Sequence, residues 1–167
     1  MAPAPSIYLA SPLGFSEAGR HFYQSVLVPY VKRLGYDVLD PWALTDPAKI
    51  DAVQRLPYGR EKRDAWTALN REIGATNRAA IDAADAVVAV LDGVDVDSGT
   101  AAEIGYAFGR GKLIVGYRGD FRLSADNEGS TVNLQVEFFI RESGGAIVSR
   151  YEDLEPCLRP LRAARRP

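Results

Sequence analysis

The sequence predicts an α/β domain: a doubly wound, five-stranded parallel sheet with helices on both faces. Two observations carry this expectation. Short apolar runs alternate with stretches of helical periodicity, and the run Ala86-Val-Val-Ala-Val-Leu91 is apolar at every position. A strand apolar throughout is buried on both faces, which demands helices above and below a parallel sheet. The 167 residues fit a single domain covering positions 1–167, since domains run to roughly 100–200 residues.

The elements follow in order. Ser6-Ile-Tyr-Leu-Ala10 is the first strand, ended by Ser11-Pro12 and Gly14. Ser16 opens a helix to Gly35, with Phe22, Val26, Leu27, Tyr30, Val31 and Leu34 at helical spacing and Pro29 expected to bend it. Tyr36-Asp-Val-Leu-Asp40 is the second strand. Thr45 to Arg63 is polar and broken by Pro47, Pro57 and Gly59, and reads as a mobile excursion with room for a short helix, a candidate lid. Asp64–Ala84 is helical in pattern, and Ala86–Leu91 is the central strand. The loop 92–99 leads to a helix over Thr100–Arg110, a strand at Leu113–Tyr117 and a polar loop over 119–131. A helix at Val132–Arg141, a short strand at Ala146–Val148 and a closing helix at Tyr151–Leu161 complete the chain, with a frayed basic tail over 159–167. Five such strands suggest a flavodoxin-like order, with ligands beyond the carboxyl ends of the strands.

Composition narrows the function. Twenty Lys and Arg against 22 Asp and Glu give a net charge of −2, so the domain lacks the basic footprint of a nucleic-acid polymer binder. No apolar run reaches the roughly 20 residues of a membrane span. The first six residues have no basic region followed by an apolar one, so no secretory signal is expected. One cysteine, Cys157, excludes an intrachain disulfide and suggests a reducing cytoplasm. Cys157 reads as a packing residue and His21, the one histidine, as a rim residue, which disfavours Ser-His and Cys-His catalysis. Neither a Walker-type loop nor a G-x-G-x-x-G motif occurs. Asp92, Asp95 and Asp97 lack EF-hand spacing and a nearby histidine, so neither a metal nor a cofactor is expected.

The chemistry concentrates in residues 91–106, at a strand end, an acidic loop and a helix start. Thr100-x-x-Glu103 matches a capping box, in which Glu103 would return to the Thr100 backbone N–H. A second reading makes Glu103 a carboxylate kept ionised by the helix N-terminus and aimed into the crevice as a nucleophile. Asp97 would assist as proton donor. Two carboxyl groups in distinct environments are the usual equipment for breaking a glycosidic bond. Gly99 and Gly105 would permit close approach of a ligand or a backbone.

Four segments in this order, Ile7-Tyr-Leu-Ala-Ser-Pro-Leu13, Asn77-Arg-Ala-Ala-Ile-Asp-Ala-Ala-Asp85, Asp97-Ser-Gly-Thr-Ala-Ala-Glu-Ile-Gly-Tyr106 and Asn133-Leu134, together resemble the nucleoside 2-deoxyribosyltransferase family. The resemblance runs from about Ser6 to Leu134. It implies double displacement at the anomeric carbon of a 2'-deoxynucleoside, with 2'-deoxynucleosides and free nucleobases as ligands. By resemblance Glu103 is the nucleophile, Asp97 the acid at the base and Tyr8 the hydroxyl that orients Glu103. Asn133 would reach the sugar in a neighbouring subunit's site, which implies a homo-oligomer, dimer-based and up to a hexamer. Asn77 stands where some members carry an aspartate. An amide donates and accepts hydrogen bonds, whereas a carboxylate only accepts. Ser11 and Gly99 complete the expected substrate-binding set.

Two rival functions remain at this point. A 2'-deoxynucleoside 5'-monophosphate N-glycosidase would use water as acceptor, with Ser11, Ser16 and Arg20 in the first loop as phosphate candidates. A non-catalytic nucleoside-binding module would not need the trio Tyr8, Asp97 and Glu103. Trp42, Trp66 and Tyr58 could each stack on a base or pack in the core.

Overall fold

Strand parity organises the molecule. The computed structural model describes residues 3–163. Among them five parallel strands form one sheet: β1 (Ser6–Ala10), β2 (Asp37–Leu39), β3 (Ala86–Val90), β4 (Leu113–Tyr117) and β5 (Ile147–Val148). Their spatial order is β2-β1-β3-β4-β5, the flavodoxin-like order, with its switch point between β1 and β3.

Successive side chains of a strand point to opposite faces. Ile7, Leu9, Val88, Val90 and Val115 therefore enter one core, and Tyr8, Ala10, Val87, Ala89 and Ile114 the other. The first core is closed by Tyr23, Leu27 and Val31 and by Leu154 and Leu158 of α7 (Leu154–Ala163). The second is closed by α4 (Arg60–Ala83), α5 (Ser98–Gly109) and α6 (Leu134–Glu142) through Ile81, Ile104, Val136 and Ile140. Every residue of β3 is buried, as its unbroken apolar run predicts.

Several boundaries differ from expectation for identifiable reasons. The first helical stretch is α1 (Glu17–Phe22), a π-helical turn over Tyr23–Leu27, and α2 (Val28–Arg33). Pro29 has no N–H and its ring would crowd the carbonyl four residues back, and the widened turn just before it absorbs both. Gly35 ends the stretch at φ +86°, a conformation that suits glycine. The excursion after β2 contains α3 (Pro47–Arg55), capped by Asp46, and α4 starts at Arg60 rather than Asp64. α5 starts two residues before the expected Thr100, at Ser98. The basic end expected to fray from Arg159 is helical as far as Ala163, and residues 164–167 of that tail lie outside the described residues.

α4 positions the site. A helix linking parallel strands runs antiparallel to them, so its N-terminal part lies at their carboxyl ends. Its 24 residues span about 36 Å at 1.5 Å per residue, about twice a five-residue strand. The first half of α4 therefore overhangs the sheet and walls one side of the crevice.

Candidate active site

The crevice at the β1/β3 switch point is a cleft of about 410 Å³. The loop after β1 contributes Ser11 and Phe15, and the loop after β2 contributes Trp42 and Thr45. Asn70, Ile73 and Asn77 line it from one stripe of α4, at spacings of 3 and 4. Asp97, Gly99, Thr100 and Glu103 come from the start of α5.

Parity brings the central pair together. Tyr8 projects to the α4–α6 side of the sheet. α5 faces that side with Thr100, Ile104 and Ala107, and Glu103 lies on the same face, one turn from Thr100 and from Ala107. The Tyr8 hydroxyl donates to Glu103 Oε1 at 2.5 Å. Burial raises the Tyr8 phenol far above its ordinary range, and the Glu103 bond, the Glu103 charge and Asp40 push it further. Tyr8 is thus a fixed neutral donor.

Glu103 is half-buried, and its carboxyl is raised above the usual range. Burial is the main cause. The Tyr8 hydrogen bond opposes it, and the negative field of Asp97 adds to it. Both expectations for how the helix end treats Glu103 therefore need correction. Glu103 sits in the second turn of α5, beyond the reach of the dipole's first turn. It closes no capping box either, because Asp97 is the N-cap. Asp97 Oδ2 accepts from the Thr100 N–H at 2.9 Å and lies 3.2 Å from the Thr100 hydroxyl. With the helix start already satisfied by Asp97, Glu103 is free to meet Tyr8.

The remaining expected residues divide. Ser11 is buried at the cleft, and its Oγ accepts from the Leu13 N–H at 3.1 Å. Gly99 lies against Asp97: a Cβ there would be 3.1 Å from Asp97 Oδ2. Gly105 faces Phe139 of α6 rather than the cleft. Asn77 lines the cleft with its Oδ1 buried and without a hydrogen-bond partner, and such unmet acceptors, which cost about 1–3 kcal/mol, gather at functional sites. Asn133 is not among the residues of this cleft. It caps α6, accepting from Gln135 N–H at 3.0 Å and Val136 N–H at 3.4 Å, while its amide nitrogen lies 3.3 Å from Asp126 Oδ2. Ser16 caps α1, and Arg20 sits on an exposed surface beside His21, so neither phosphate candidate reaches the cleft. Asp92 Oδ1 accepts from the Asp120 N–H and Asp95 Oδ1 from the Val96 N–H, so the loop carboxylates serve separate turns.

Residues that the sequence did not single out include Phe15, Asn70 and Asp40. Asp40, at the end of β2, accepts from the Tyr23 hydroxyl at 2.8 Å and from the Trp42 N–H at 2.9 Å. Burial, followed by the Asp40 charge and hydrogen bond, raises the Tyr23 phenol well above its ordinary range. The spacing of Asn70, Ile73 and Asn77 on one helical stripe was a usable signal for Asn70. Asp40 had none, since its partner Tyr23 is on a different element. Of the three aromatic candidates, Trp42 lines the cleft, whereas Tyr58 is exposed against Arg63 and Trp66 lies further toward the start of α4.

A family model described as nucleoside 2-deoxyribosyltransferase matches residues 7–135. The chain belongs to the nucleoside 2-deoxyribosyltransferase family. The match contains Tyr8, Asn77, Asp97, Glu103 and Asn133. The family places the chain among enzymes of the deoxyribosyltransferase and N-glycosidase group. No curated protein matches the chain. Among solved structures, a conserved protein from Enterococcus faecalis V583 is 27% identical, with 94% of this chain and 98% of that chain covered and a TM-score of 0.68. A 2-deoxyribosyltransferase from Leishmania mexicana is 23% identical over 92% of this chain and 96% of its own, with a TM-score of 0.62. A CMP N-glycosidase from Clostridium botulinum is 18% identical over 93% and 98%, with a TM-score of 0.55. The last two likenesses establish a shared fold.

No helix among the described residues is long and apolar enough to cross a membrane.

Proposed function

We propose that this protein transfers the 2'-deoxyribosyl group between nucleobases by double displacement. The observation that carries the reading is the 2.5 Å hydrogen bond from Tyr8 to Glu103 at the wall of a cleft that Asp97 and Asn77 also line. In the first half-reaction a Glu103 carboxylate oxygen bonds to C1' as the C1'–N bond breaks. The electron pair of that bond leaves with the base, which takes up a proton from the Asp97 side. The products are a free base and a deoxyribosyl ester on Glu103. In the second half-reaction a nitrogen of a different base attacks C1', gives up its proton and releases the Glu103 carboxylate.

The electrostatics suit this sequence of events. Glu103 loses its charge when the ester forms, and a site that disfavours that charge by burial favours bonding to C1'. Tyr8 counters the effect enough to hold one carboxylate oxygen in place while the other attacks. Asn77 is the amide proposed to meet the base edge.

Asn133 is proposed to complete a neighbouring subunit's site, where it would meet the sugar hydroxyls. Exposed apolar side chains on its own helix, Leu134 and Phe138, support burial of that surface in an oligomer. Mixing Glu103→Ala with Asn133→Ala protein should then restore part of the activity that each variant lacks alone. No recovery, or a monomeric mass in solution, removes this part of the reading.

The decisive experiment incubates the protein with thymidine or deoxyinosine, with and without a second base, and separates the products. A new deoxynucleoside establishes transfer. Free base alone shows hydrolysis instead, and the same assay with 5'-monophosphates tests whether phosphate improves the substrate. No product from any of them refutes the catalytic reading.

A further inference from the structure

Arg118 is a buried charge with no part in the chemistry proposed above. It is 3% exposed and directly follows β4. Its backbone N–H donates to the Val148 carbonyl at 2.8 Å, so the strand's alternation continues through it. Tyr117 packs in the core closed by α7, which turns Arg118 to the opposite face, the face of Tyr8.

Its guanidinium donates to backbone carbonyls alone. Nη1 meets Leu91 O, and Nη2 meets Gly93 O at 3.1 Å and Arg122 O at 2.6 Å. Nε is buried without a partner. The Asp120 carboxylate feels the Arg118 charge but is bound by the Arg122 side chain. A guanidinium buried without a carboxylate of its own is costly. Holding turns does not require it: Asp92 Oδ1 accepts from the Asp120 N–H at 2.9 Å and Asp95 Oδ1 from the Val96 N–H at 2.7 Å.

The carbonyls it gathers belong to two loops. Leu91 and Gly93 open the loop that ends at Asp97, and Arg122 lies in the loop over 119–131. Gly93 has φ +131°, and a Cβ there would fall 3.0 Å from the Asp95 carbonyl oxygen. The chain thus turns sharply at the point where Arg118 grips it, four positions before Asp97. The far end of the second loop has anchors of its own. Glu137 Oε2 accepts from the Thr131 N–H at 2.7 Å, and Asp126 Oδ2 from the Leu134 N–H at 2.8 Å.

We propose that Arg118 is a positioning residue for the transfer reaction: it clamps the Asp97 loop to the loop after β4 and so sets where Asp97 meets the leaving base. This inference rests on the reading of Asp97 as the acid. An acid must lie within hydrogen-bond reach of the atom it protonates, and a misplacement of about 1 Å can cost about a hundredfold in rate.

The test is a double-mutant cycle on base exchange, with folding checked by circular dichroism. Arg118→Lys keeps the charge but cannot span three carbonyls. It should lower kcat by about tenfold or more while KM moves by less than about threefold, as expected for an interaction that matters in the transition state. Placed on Asp97→Asn, it should cost almost nothing further, because the group it positions is already disabled. Hydrogen exchange supplies a reading without turnover. Amides of residues 92–100 should exchange about tenfold faster in Arg118→Lys, while those of β1 stay protected. If the lysine variant does not fold, Arg118→Gln, which retains planar N–H donors without the charge, takes its place in the cycle.

An equal loss from Arg118→Lys in the wild type and in Asp97→Asn assigns Arg118 a general structural role and overturns the proposal. A wild-type kcat in Arg118→Lys, or unchanged exchange over residues 92–100, overturns it too. Failure of the catalytic reading shows separately, as absence of turnover in the wild type, and removes this inference with it.

Discussion

Replacing Tyr8 with Phe isolates the hydrogen bond on which the catalytic reading turns. The ring is fully buried in the sheet's core, and Phe preserves it, so the change removes one hydroxyl and little packing. That hydroxyl donates to a carboxylate at 2.5 Å, and hydrogen bonds to charged groups contribute about 1.5–3 kcal/mol. The corresponding loss in kcat/KM is roughly 10- to 150-fold near neutral pH. The pH profile carries more information than the size of the loss. Tyr8 is the influence that holds the Glu103 carboxyl down, against burial and Asp97, which raise it. Without Tyr8 the carboxyl rises further. Attack requires the ionised form, so the acid limb of the profile should move to higher pH and the deficit should shrink as pH increases. Steady-state rates of base exchange across the pH range would record both. An acid limb in the same place as the wild type's would refute the argument that Tyr8 tunes Glu103, whatever the fall in rate.

Further tests address the other groups at the site. Glu103→Gln should lower base exchange by at least about a thousandfold, as loss of a nucleophile does. It should also stabilise the fold at neutral pH. The folded carboxyl is raised above its unfolded value, so the native state binds the extra proton, and wild-type stability declines as pH rises from the unfolded value through the folded one. Gln abolishes that slope, and an identical pH dependence of Tm in both proteins would contradict the assignment. Asp97 serves as both cap and acid, and two variants separate these roles. Asp97→Asn retains a good cap and should keep Tm while losing about a hundredfold in rate, whereas Asp97→Ala should in addition lose about 1 kcal/mol of stability. Equal rates for Asp97→Asn and wild type would remove Asp97 from the chemistry. α3 has no buried residue and is tied to α4 by the exposed Lys49–Glu72 ion pair, while its Ile50 lines the cleft. Cleavage within residues 45–59 by a protease should slow on adding a nucleoside, and an unchanged rate would show that the segment does not close.

Much of this site can be read in the sequence because its parts are local. Asp97 and Glu103 lie six positions apart on one loop–helix junction, and Tyr8 is fixed by the two-residue repeat of a strand whose apolar run is plain. The capping is ambiguous along the chain for a local reason as well. Asp97-x-x-Thr100 and Thr100-x-x-Glu103 are overlapping signals, and a start at Ser98-Gly99 uses poor helix formers that propensity argues against. Asp97 prevails because its carboxylate satisfies the Thr100 N–H directly, so helix and acid are set by one residue. The start of α4 was hidden because its overhanging first turns, Arg60-Glu-Lys-Arg63, cover no core and so carry no apolar period. The Asp40–Tyr23 contact and the reach of Arg118 to Leu91 and Gly93 join separate segments, and nothing in the spacing along the chain announces such meetings.

The dependence of the Tyr8–Glu103 contact on strand parity limits how this gene can vary. One residue gained or lost within β1 would leave a plausible apolar strand yet turn the phenol away from Glu103, into the opposite layer with Leu27 and Leu158. Such a shift could preserve a folded molecule while disabling it, so codons 6–10 should tolerate conservative substitution better than insertion or deletion.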